Sequence, residues 1–72
     1  SNMFIKKYCK PDRPPFERIL MTQSDGPIST YHVFGERLKQ EPTTLYWGTS
    51  RAEADSTYDS LVYQYMIHVK VS

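Results

Sequence analysis

SRAEADSTYDSLVYQY, residues 50–65, is the stretch whose reading decides the fold. Its opening Ser50-Arg51-Ala52-Glu53 has the form of a capping box. The Ser50 side chain accepts a hydrogen bond from the Glu53 backbone N–H, and the Glu53 side chain reaches back to the Ser50 N–H. Glu53 and Asp55 stand near the positive end of the helix dipole. Beyond the cap, Ala54, Tyr58, Leu61, Val62, Tyr65 and Val69 recur at helical spacing and form one apolar stripe. Arg51, Asp55, Asp59 and Ser60 take the wet side. Asp55 and Asp59 are like charges at i,i+4, which weakens a helix slightly. They read either as a solvated acidic face or as a contact for a basic partner. Met66–Val71 either continues the helix or turns into a short strand with Ile67, Val69 and Val71 alternating. The expectation is a helix to about residue 68 and a frayed tail, with His68 favoured by the dipole at the helix C-terminus.

Working back from the helix, Thr43–Gly48 is strongly strand-prone, and alternation sends Tyr46 and Trp47 to opposite faces. Gly35–Pro42 is a polar loop with room for one helical turn over Glu36–Lys39. Residues 16–34 read as a β-hairpin around Ser24-Asp25-Gly26-Pro27, where Gly26 can take φ > 0 at no steric cost. In its second strand Ile28, Thr30, His32 and Phe34 share one face, and Tyr31 and Val33 share the other. Neither face is purely polar, so the sheet is expected to be covered on both sides, by the helix and by a second subunit. Pro11-Asp12-Arg13-Pro14-Pro15 is a connector. Met3–Cys9 is an edge strand or a loose arm, its central lysines arguing against a central position. Simple alternation puts Phe4, Lys6 and Tyr8 on one face of it, and Met3, Ile5 and Lys7 on the other. The fold class is therefore α+β: a small three- to four-stranded, mostly antiparallel sheet packed by one C-terminal amphipathic helix.

With 72 residues the chain makes one domain over 3–72, in which 3–15 form a basic, proline-rich N-terminal arm. Ser1-Asn2 ahead of Met3 reads as a remnant of tag cleavage. So short a chain builds a thin core, and Cys9 is its one cysteine, so no internal disulfide helps. Self-association, as a homodimer, is the expected remedy. No apolar run approaches the ~18 residues of a membrane span, and no secretory leader is seen, so a cytoplasmic location is the default. Net charge is +1, but residues 1–18 set five cations against two carboxylates.

Chemistry finds little footing. Cys9, His32 and His68 are the nucleophile and base candidates, and no spacing ties them together. Two histidines and a cysteine so far apart match no zinc pattern, so neither a metal nor a cofactor is expected. Gly26, Gly35 and Gly48 are isolated and make no phosphate loop. The chain is read as a non-enzyme.

Two binding readings follow. Six tyrosines, three phenylalanines and a tryptophan are more rings than a core of this size encloses. Tyr31, Tyr46, Trp47 and Tyr63 are the candidates for a protein interface, with an unknown protein or a second copy as partner. This favours a small interaction or regulatory domain. The alternative is a single-stranded nucleic-acid binder using Lys6, Lys7, Tyr8, Lys10, Arg13 and Arg18, where cations neutralise phosphates and rings stack on bases. Against it stand the low net charge and the lack of a known RNA-binding motif.

Overall fold

The computed structural model describes residues 2–65. Four strands, β1 (Met3–Cys9), β2 (Arg18–Ser24), β3 (Thr30–Glu36) and β4 (Thr43–Gly48), precede one helix, α1 (Arg51–Tyr65). The strands pair in chain order, each antiparallel to the next. The helix lies across one face, which makes the α+β architecture read from the sequence. The expected continuation of the helix to residue 68, with His68 and Val69, lies outside the described residues.

The core sits between helix and sheet. Ile19, Met21 and Val33 from the central strands are fully enclosed against Ala54 and Tyr58 of the helix stripe, with Phe16 closing one end. Leu61, Val62 and Tyr65 continue the stripe, half-buried. Phe16, just after the prolines, lies on Gly35 so closely that a Cβ there would overlap its ring. It also meets Tyr65 edge-on at 5.5 Å. The connector is thereby pinned to both the sheet and the far end of the helix.

The helix cap differs from the capping box in one partner. The Glu53 N–H donates to Ser50 Oγ at 3.1 Å as expected. The Ser50 N–H, however, donates to the Tyr46 hydroxyl at 3.1 Å rather than to the Glu53 side chain. Around the hairpin, β3 begins at Thr30, so Ile28 belongs to the turn and is exposed. Gly26 does not take positive φ. The turn is held instead by the Asp25 carboxylate, which accepts from the Gln23 amide at 2.8 Å and the Ser29 hydroxyl at 3.1 Å. The loop after β3 is a turn closed by Gln40 N–H to the Arg37 carbonyl, with Lys39 at φ 57°, and contains no helical turn.

Both edge strands are bulged. Register shifts by one residue at Lys6 in β1 and at Leu45 in β4. A bulge resets the alternation beyond it, so the faces of β1 differ from simple alternation. Met3, Ile5 and Tyr8 share the side away from the helix, whereas Phe4, Lys7 and Cys9 fall in the rows of Gln23, Met21 and Ile19 on the helix side.

Candidate interaction face

The side of the sheet turned from the helix is built of cross-strand rows. Ile5, Thr22, His32 and Trp47 form one row across all four strands, and Tyr8, Leu20, Phe34 and Thr44 form the next. Arg18 and Glu36 close one end, and Met3, Ser24 and Thr30 the other. The middle of this surface is buried: Leu20 is 2% exposed and Thr22 5%. The flanks stand in the open. Trp47 is 68% exposed, Met3 70%, Tyr8 55% and Ile5 50%. They stand along the two edges of one face, with Phe34 and the His32–Thr44 pair between them, and apolar and aromatic side chains left in the open on one face suit a binding site.

Two polar pairs stiffen it. The Arg18 guanidinium donates to both oxygens of Glu36, from Nε at 2.7 Å and from Nη2 at 3.1 Å, and lies 5.8 Å above the Tyr8 ring. This fork geometry orients both side chains and cancels their charges within the chain. His32 Nε2 is 2.9 Å from Thr44 Oγ1, and its ring tilts against Phe34 with centroids 4.6 Å apart. Burial among these neighbours holds the His32 imidazole below its ordinary pKa, which favours the neutral ring.

The interface candidates divide. Trp47 is on the open face and Tyr63 projects from the outer side of the helix, 69% exposed. Tyr31 and Tyr46 lie on the helix side, packed against the core cluster. The nucleic-acid candidates divide as well. Tyr8 and Arg18 meet on the open face. Lys7 is carried by the Lys6 bulge to the other side, where its ammonium stands 3.1 Å from Asp55, 3.8 Å from Asp59 and 4.8 Å over the Tyr58 ring. The acidic pair on the helix thus has its basic partner in the same chain. Lys6 stands over Phe4, and Lys10 and Arg13 lie in the connector region beyond β1. The six do not form one basic track.

The catalytic candidates are not brought together either. Cys9 points to the helix side and His32 to the open side of the sheet. The Tyr58 phenol is held above its ordinary pKa, first by burial and then by the neighbouring Cys9 thiol, so it stays protonated. Among the described residues, no three His, Cys, Asp or Glu side chains converge to hold a metal ion, and no helix is long and apolar enough to cross a membrane. Concavities lie in the connecting loops, at Pro11–Glu17 and around Glu36–Pro42, the second reaching the Glu36 end of the open face.

What sequence reasoning missed on this face are Ile5, Tyr8 and Phe34 as members of one surface with Trp47. Only pairing registers that include the β1 bulge could have found it. No family model matches the chain, and no match was found among curated proteins or solved structures.

Proposed function

We propose that the chain is a non-enzymatic protein-interaction module whose binding surface is the open face of its sheet. The observation that carries this reading is the contiguous row structure ending in Trp47 on one edge and Ile5 and Tyr8 on the other, exposed on the side away from the helix. Aromatic residues that expose an apolar body suit a partially desolvated contact, and Trp and Tyr are favoured as binding anchors. Trp47 is the chain's one tryptophan, so it reports on this face alone. The test is binding of the dye anilinonaphthalene sulfonate to the folded chain, read by energy transfer from Trp47. Binding is expected, and is expected to be lost when Ile5 and Tyr8 are changed to Ser, with stability kept within about 1 kcal/mol because both side chains are half-exposed or more. A folded chain that takes up no dye overturns the reading.

A second reading has one specific observation in its favour. Tyr8 under Arg18, with His32 against Phe34, places rings on an antiparallel sheet, the kind of platform on which single-stranded RNA bases stack. Arg18 is already paired with Glu36, and Lys7 with Asp55 and Asp59, which leaves less charge for phosphates. That reading predicts single-strand binding that weakens steeply with salt and loses part of its salt slope when Lys6, Lys10 and Arg13 become Ala. It falls if no binding is seen at low salt.

A further inference from the structure

We infer that the occupant of the open face is a second copy of this chain, packed sheet to sheet in a reversible dimer. This rests on the reading of that face as a protein-binding surface and names its partner.

Three observations point to a copy. The first concerns the edges. Sheets commonly associate by pairing edge strands, and bulges and lysines at an edge oppose it. Here β1 carries a bulge at Lys6 beside Lys7, and β4 carries one at Leu45. Association is left to a face.

The second concerns charge. The helix side presents Lys7, Arg51, Asp55 and Asp59. Within the open-face rows the charged groups are Arg18 and Glu36, and these neutralise each other in a bidentate pair. Within these rows a nucleic acid or a strongly charged protein would find only a charge pair already closed on itself. A copy brings the same internally neutral surface, so no like charges are forced together when the two faces close.

The third concerns area. Four strands spaced ~4.8 Å apart, each about seven residues at ~3.3 Å, span roughly 400 Å² of sheet. Two copies together cover roughly 800–900 Å² before side-chain relief, below the ~1,200–2,000 Å² of stable interfaces and within the range of weak, transient ones. Such an area suits a weak, reversible dimer, with the two sheets ~10 Å apart and their side chains interleaved.

The experiment is sedimentation velocity of the full chain across the micromolar range, with dye binding measured on the same samples. The expected result is a mass that rises from monomer toward dimer with concentration, and dye uptake that falls in parallel. Trp47→Lys should weaken association at least ~10-fold, as expected for an exposed aromatic anchor, and Tyr63→Lys on the outer helix side should leave it unchanged. Tyr8→Lys gives a second variant should Trp47→Lys fail to fold. A monomer at every concentration overturns the copy as occupant, as does a dimer dissolved by Tyr63→Lys but untouched by Trp47→Lys and Tyr8→Lys. If the monomer still binds dye, the interaction face stands and its partner is another molecule. If it binds none, both proposals fall.

Discussion

The Tyr46 hydroxyl accepts a hydrogen bond from the Ser50 backbone N–H at 3.1 Å, so the last strand closes the first turn of the helix that follows it. The strand and the helix are joined by a short connection, and Tyr46 lies on the helix side beside Val33. Gly48 makes room for this, because a Cβ there would stand 2.6 Å from the Tyr46 hydroxyl. Tyr46→Phe removes the acceptor and leaves a partly buried N–H without it. A loss of about 1 kcal/mol is expected, read by urea unfolding, together with faster amide exchange at Ser50. Association should be unaffected, since Tyr46 is not on the open face.

Phe16 and Gly35 make a second dependence. The ring occupies the space a side chain would need on β3. Gly35→Ala forces the ring away from its place against Tyr65 and is expected to cost about 1–3 kcal/mol, as overpacking does. The cost should shrink in a Phe16→Leu background, because the clashing ring is gone. Additive losses in the double variant would contradict the contact.

Lys7 relieves the repulsion between Asp55 and Asp59 from a strand far away in sequence. These groups are partly exposed, so the effect is modest. Lys7→Ala should cost about 0.5–1 kcal/mol at low salt and less at high salt. Asp59→Asn should recover part of it in the Lys7→Ala background, though not in the parent chain. Thermal unfolding at two ionic strengths checks this.

How much of this was legible beforehand depends on the element. The helix could be placed because its stripe and Ser50 cap are local signals, and the opposite directions of Tyr46 and Trp47 follow from strand alternation. The faces of β1 could not be placed, because the bulge at Lys6 has no glycine or proline to announce it and one extra residue inverts every side chain beyond it. For the same reason Lys7 read as part of a basic arm rather than as the partner of Asp55. By residue type alone, Tyr31 and Tyr46 are indistinguishable from Trp47 and Tyr63. Which rings a thin core takes in depends on register, and that is a tertiary property.

The pH response follows from His32. Its pKa in the folded chain is held below the ordinary 6.5 by burial, so the folded state prefers the neutral ring. Well above pH 6.5 both states are neutral and the stability is fully present. As pH falls below that value the unfolded chain takes up the proton first, and stability is lost down to the lowered folded value, then levels off. Tyr8 and the paired Arg18 and Glu36 are the other titratable groups on this face. In a dimer the same ring is enclosed further, so dissociation should also strengthen as pH falls. His32→Gln should flatten both dependences, measured by urea unfolding and by sedimentation between pH 7.5 and about 5.5, a range chosen to bracket the imidazole. Equal slopes in the two proteins would contradict this.

The central claim is best tested by isotope-filtered nuclear Overhauser measurements on a mixture of labelled and unlabelled copies. The account predicts intermolecular contacts from the Trp47 indole and the Tyr8 ring to open-face side chains such as Ile5 and Phe34, and none from Tyr63. Intermolecular contacts arising only from the helix, or none at concentrations where the chain is dimeric by mass, would contradict it.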